Sequence, residues 1–157
     1  SEDDDGNNDK EERRLTDEEI VDNTRLLIFA GSETSSGTLT LAMMLLGLHP
    51  EKYQKLVEEQ QAIQAKYGGG TTLLTQDILD NDCPYLDSIV RETMRIRPIV
   101  GGSVRGVKET MIVDGCQIPA GYGVTYDRFQ THFLDPNTYQ SDHSHMDIHK
   151  GFQPERW

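Results

Sequence analysis

Ala30-Gly31-Ser32-Glu33-Thr34 interrupts an apolar stretch with groups that can take part in chemistry. Gly31 removes a side chain, so a ligand can lie against the backbone. The Thr34 hydroxyl can bond back to the carbonyl four residues earlier, which loosens a helical ladder locally. Glu33, in otherwise apolar company, is expected to be buried and to hold its proton unusually tightly, ready for relay. The same residues also suit a plainer role, in which small side chains let two helices approach and Glu33 stands at a solvent-facing edge.

Glu92 and Arg95 lie three apart in Glu92-Thr93-Met94-Arg95, which puts both charges on one face of a helix. Alone, such a pair on a surface stabilises by about 0.3–0.5 kcal/mol. Arg156, in Pro154-Glu155-Arg156-Trp157, offers a second guanidinium from a remote loop. A carboxylate held between two Arg forks would lock that loop to the helix. Asp142, His143, His145, Asp147 and His149 alternate metal-capable groups, but a solvated polar loop explains them better, and no metal is assigned. Cys83 precedes Pro84 at a helix start and Cys116 falls in a strand, so both read as packing residues.

The elements that must position these groups are legible in outline. Thr16 and Glu19 form a capping box ahead of Ile20, Leu26, Leu27, Ile28 and Phe29, and the helix they open is expected to run to about Gly47. Its apolar residues from Leu26 to Leu48 lie nearly all round the cylinder, the pattern of a helix buried inside a larger protein. His49-Pro50-Glu51 opens a second, amphipathic and exposed helix that Gly68-Gly69-Gly70 closes. A short turn over Thr75 to Leu79 leads to a third, where Leu86, Ile89, Val90, Thr93 and Met94 recur at helical spacing until Pro98. Thr110–Val113, Cys116–Ile118 and Tyr122–Tyr126 read as short strands around Asp114-Gly115 and Pro119-Ala120-Gly121 turns. Phe133 to Trp157 is expected to be a polar loop. The fold class is mainly α with a small β region.

The 157 residues suffice for one ordinary domain. Residues 1 to 14, with seven acids and three bases, are expected to form a disordered acidic tail before a domain over 15–157. A net charge of −12 with no basic block argues against nucleic acid and anionic membrane surfaces as partners. Two cysteines are too few for a disulfide scaffold. The longest apolar run, Leu41 to Leu48, is far short of the ~20 residues of a spanning helix, so the chain is expected to be soluble.

In order and spacing these segments resemble the cytochrome P-450 family: AGSET is similar to the oxygen-binding motif of its long central helix, ETMR to its E-x-x-R, and PERW to its usual Pro-Glu-Arg-Phe. His49-Pro50-Glu51, CPYLDSIVRETMRIRP and GCQIPAGYGV resemble its connecting segments, so the likeness covers nearly everything after residue 15. ETMRIRPIVGGSVRGV, QIPAGY and the later THF resemble the branch that hydroxylates retinoids and related isoprenoids. The resemblance implies that fold, with its long central helix, short strands and meander. It also implies a haem cofactor, NADPH electrons through a reductase or ferredoxin partner, and hydroxylation of a lipophilic small molecule such as a retinoid or sterol. Thr34, with Glu33, would hydrogen-bond dioxygen and deliver protons, and Gly31 and Ala30 would leave the cofactor and oxygen room. Glu92, Arg95 and Arg156 would form a structural charge triad, Arg105 would meet a haem propionate, and residues 99 to 104 would line the substrate pocket. In the family a cysteine loop follows Pro-Glu-Arg, and here the chain stops at Trp157. The expectation is therefore a fragment, inactive by itself, of a protein held at the endoplasmic reticulum membrane by a segment outside this chain. The alternative is a non-catalytic remnant serving as a helical interaction module.

Overall fold

The structure, a computed structural model, describes residues 14–68 and 74–157. The acidic tail, and the part of the glycine stop at Gly69 and Gly70, lie outside the described residues apart from Arg14, which has no regular structure. The chain divides into two units, one ending at Glu33 and one beginning at Thr34.

In the first unit, helix α1 (Asp17–Leu48) starts at the predicted capping box. The Thr16 amide donates to Glu19 Oε2 at 2.9 Å, and the Glu19 amide donates back to Thr16 Oγ1 at 3.2 Å, so two amides with no helical acceptor are satisfied reciprocally. Leu26, Leu27, Ile28 and Phe29 are each more than 60% exposed. These side chains find no cover among the described residues, and the burial expected of them is burial inside a larger protein. Of the two readings of Glu33, buried or at a solvent-facing edge, the structure has it exposed.

The second unit holds the rest of α1, then α2 (Pro50–Tyr67), α3 (Gln76–Asp82), α4 (Pro84–Ile96) and α5 (Arg128–Phe133). Helix α4 buries Tyr85, Ser88, Ile89, Glu92, Thr93 and Ile96, a series at i, i+3, i+4 spacing that fixes one face inward. That face packs with Leu45 and Leu46 of α1 and with Phe152, flanked by Leu56 and Ile148. A smaller core joins Ile63, Ile78 and Cys83. Phe152, Met146 and His145 are all at least 95% buried. The stretch after Phe133 is therefore no surface loop: it supplies core residues from two 3-10 turns, Ser144–Met146 and Pro154–Arg156, and the backbone around them.

Four strands form two antiparallel pairs, β1 (Gly102–Gly106) with β4 (Gly123–Asp127) and β2 (Met111–Val113) with β3 (Cys116–Ile118). In the β2–β3 hairpin Asp114 (φ 48°) and Gly115 (φ 78°) both take positive φ, the requirement of a type I′ turn. Strand β1 was not expected. It pairs Gly102 with Asp127 and Gly106 with Gly123, and a Cβ at Gly102 would collide with the Tyr126 carbonyl oxygen. Among the described residues no helix is long and apolar enough to cross a membrane.

Candidate functional site

Two features meet on α4, a buried carboxylate and an apolar groove. Glu92 is fully buried, and the cost of removing its charge from water must be offset by donors. Arg95 supplies two in fork geometry, Nε to Oε2 at 2.8 Å and Nη2 to Oε1 at 2.9 Å. The Gln153 amide donates to Oε1 at 3.0 Å, Arg156 Nε to Oε1 at 3.4 Å, and Trp157 Nε1 to Oε2 at 3.1 Å. Burial alone would raise the Glu92 pKa, but the bonds from Arg95, the Gln153 amide and Trp157 hold it below the usual carboxylate value. The structure thus brings Glu92, Arg95 and Arg156 together. Arg95 also donates from Nη2 to the carbonyls of His145 (2.8 Å) and Gly151 (3.0 Å), so one guanidinium ties two turns of the C-terminal stretch to α4. Gly151 makes that crossing possible, because a Cβ there would lie 2.5 Å from the His145 carbonyl oxygen and 2.6 Å from that of Ser144.

Neighbouring contacts brace the cluster. The Glu155 carboxylate accepts from Lys52 (2.8 Å) and Lys55 (3.2 Å) of α2 and from the Tyr85 hydroxyl (3.2 Å) of α4. Partial burial opposes its ionisation, but the lysine bonds prevail and bring its pKa down to about 2. Glu59 of α2 accepts from the amides of Tyr85 (2.6 Å) and Leu86 (3.1 Å), capping α4 from a different helix. His49 donates from Nε2 to the Ile148 carbonyl at 2.8 Å, its ring 5.2 Å from that of Phe152. In the sequence His49 and Glu155 belong to a helix-opening motif and a turn motif. No spacing rule links either to partners about 100 residues away.

The groove runs along α1 and α4. One part, about 510 Å³, is lined by Thr34, Thr38, Leu46, Ile89, Val90 and Met94 among others. The adjoining part, about 280 Å³, is lined by Thr34, Thr38, Met94, Pro98, Ile99, Val100, Arg128 and His132. Of the predicted oxygen-site residues, Thr34 faces this groove. Ala30, Gly31 and Glu33 belong to the first unit, where all three are exposed and a Cβ at Gly31 would have no described atom within 4 Å. Elsewhere in this helix the hydroxyls of Thr24, Thr38 and Thr40 donate to the carbonyls four residues earlier, at 2.7–2.9 Å. Ile99 and Val100 line the groove, while Arg105 is exposed on β1 and lines a separate cavity with Val107, Met111 and Val124. Arg128 and His132, which sequence reasoning passed over, are the cationic and titratable groups at the groove. Burial first, and then the Arg95 charge, lower the His132 pKa.

The His-rich stretch gathers no metal-binding group among the described residues. His145 is buried, accepts at Nδ1 from the Gln140 amide and donates from Nε2 to the Phe133 carbonyl, at 3.2 and 2.9 Å. Cys83 is buried and desolvation pushes its thiol pKa up, whereas Cys116, expected to pack, is exposed on its short hairpin.

A cytochrome P450 family profile matches residues 2–157. The chain is 37% identical over 132 residues to cytochrome P450 26B1 of Rattus norvegicus, covering 79% of this chain and 26% of that protein. It is 33% identical over 139 residues to the putative cytochrome P450 120 of a Synechocystis strain, covering 88% of this chain and 28% of the relative. Among solved structures, the retinoic acid bound cyanobacterial CYP120A1 superposes with a TM-score of 0.75 at 34% identity, over 92% of this chain and 30% of that one. The chain spans about a quarter of the length of the curated relatives it matches. With a profile match over nearly every residue and a helical frame shared with a solved relative, the chain belongs to the cytochrome P450 family.

Proposed function

We propose that this chain is part of a haem-dependent monooxygenase that inserts one oxygen atom into a C–H bond of a lipophilic small molecule, with electrons that reach it from NADPH through a reductase or ferredoxin. The observation that carries this reading is the groove, lined by Thr34, Ser35 and Thr38 among mostly apolar side chains. The wall suits a flat apolar macrocycle, and Arg128 and His132 at the same groove suit its carboxylates, so the lining fits haem. When bound, haem supplies the one-electron and dioxygen chemistry that no side chain here can perform.

The chain's own residues then have limited tasks. With the cofactor bound, Thr34 Oγ1 would be the hydroxyl donor beside the oxygen site and Glu33 would hold a proton for relay. Ala30 and Gly31 leave space beside the helix. Met94, Ile99 and Val100 exclude water, and residues 99–104 face the substrate. Arg105 is the further cation assigned to a propionate. Glu92, Arg95 and Arg156 hold α4 and the C-terminal turn in register without touching substrate. Cys83 and Cys116, away from the groove, have no part in ligation. A retinoid or related isoprenoid is the favoured substrate class, since the solved relative CYP120A1 is retinoic acid bound and the groove is mostly apolar.

The test is the reduced, carbon monoxide-bound absorption spectrum of the whole protein containing this chain, followed by titration with a retinoid. A red-shifted thiolate-type Soret band and a saturable retinoid-induced spectral change are expected. Absence of the band would overturn the monooxygenase reading, and a band with no retinoid response would overturn the substrate class alone.

A further inference from the structure

Glu92 holds more donors than the two arginines account for. Oε1 receives Arg95 Nη2 at 2.9 Å, the Gln153 amide at 3.0 Å and Arg156 Nε at 3.4 Å, while Oε2 receives Arg95 Nε at 2.8 Å and the Trp157 indole at 3.1 Å. An ionised carboxylate offers about two acceptor sites on each oxygen, and a buried one must fill them. Without the indole, Oε2 keeps one donor. Of the two side chains that the C-terminal turn sends to Glu92, the neutral indole makes the shorter bond. The Arg156 contact is longest of the five, and its side chain is 23% exposed.

We propose that Trp157 is a positioning residue of the buried carboxylate cluster, its N–H supplying the second donor to Glu92 Oε2 and so fixing the turn that also carries Arg156. The 3-10 turn Pro154–Arg156 delivers the indole: the Trp157 amide bonds back to the Pro154 carbonyl at 3.2 Å. The ring then lies against α4, with the Arg91 guanidinium 6.0 Å from its centre. It also borders a cavity lined by Cys83, Ser88 and Arg91, so aromatic packing and hydrogen bonding are separable contributions. A phenylalanine at this position would keep the first and lose the second.

The experiment uses the whole protein, with Trp157→Phe and with Trp157 replaced biosynthetically by benzothienylalanine, which keeps the bicyclic shape and puts sulfur where the N–H was. Urea unfolding is followed at several pH values, and haem retention is followed where haem binds. The unfolding constant should rise roughly five- to thirtyfold at neutral pH in both variants. The acid limb of stability should also move to higher pH, because Glu92 loses a bond that favours its ionised form. A benzothienylalanine protein within twofold of the parent, with an unchanged acid limb, would show that only packing matters and overturn the proposal. If neither variant folds, hydrogen exchange of the Trp157 indole N–H in the unsubstituted protein decides: protection supports the bond, and exchange at the rate of free indole refutes it. The unfolding readout needs no haem, so a failure of the monooxygenase reading would leave this test intact.

Discussion

Arg95 carries the sharpest residue-scale consequence. It is 4% exposed, forks onto Glu92 and holds two carbonyls, so Arg95→Ala leaves a buried carboxylate and two backbone acceptors short of partners. Removing one partner of a buried pair costs about 3–5 kcal/mol, a large part of an ordinary domain's stability. Arg95→Lys should rescue little, because an ammonium cannot make both fork bonds. Unfolding midpoints and haem content of the whole protein check this, and normal haem content in the alanine variant would count against the cluster's assigned task. Gly151→Ala is a test of geometry rather than charge. The new methyl group meets the Ser144 and His145 carbonyls, and overpacking of this severity is expected to cost about 3 kcal/mol by urea denaturation. Thr34→Ala tests chemistry: with the hydroxyl gone, oxygen consumption should continue while less of it appears as hydroxylated product. Unchanged coupling would remove Thr34 from the role proposed for it.

At the scale of elements, α2 acts as a splint. Its Glu59 caps α4, and its Lys52 and Lys55 hold Glu155, next to the residues that reach Glu92. The Glu155 carboxyl is held near 2 against an ordinary 4.5, so its stabilising contribution is full above about pH 4.5 and is lost as pH falls towards 2. Glu155→Gln should therefore lower stability at neutral pH and flatten this acid limb, with the difference from the parent vanishing near pH 2. Glu92, also held below its ordinary value, leaves a residual limb that the variant retains. Sequence legibility also divides by element. Thr16–Glu19 and Asp114-Gly115 are readable because a local bond or a positive φ dictates residue type within four positions. Strand β1 reads as loop because Gly102, Ser103 and Gly106 have little strand preference, and its partner lies about 20 residues on. Helix α5 has a signal that could have found it, the Asp127 side chain accepting from the Gln130 amide at 3.0 Å, a cap over six residues. In the candidate site, Glu92, Arg95 and Arg156 were legible as charges in motifs, whereas Trp157 and Glu155 depend on long-range packing that no periodicity encodes.

For the molecule as a whole, the link between α4 and the C-terminal turns dictates an order of events in folding. The Glu92–Arg95 pair is local and can form as soon as α4 winds. Its remaining partners lie 50 to 65 residues further on, at His145, Gly151, Gln153, Arg156 and Trp157. Closing a loop of about 60 residues costs about 3.6 kcal/mol of chain entropy before any constant term. That cost must be met before the distant contacts return anything, so these contacts are expected to form late in folding. Contacts absent from the transition state govern how fast a protein comes apart rather than how fast it assembles. Arg156→Ala should accordingly leave the refolding arm of a chevron nearly unchanged and steepen the loss of the native state in time, and a slowed refolding arm would place these contacts early instead. Selection on PERW would then act on the lifetime of the folded protein, with the turn serving as a clasp whose strength shows in how long the native state persists.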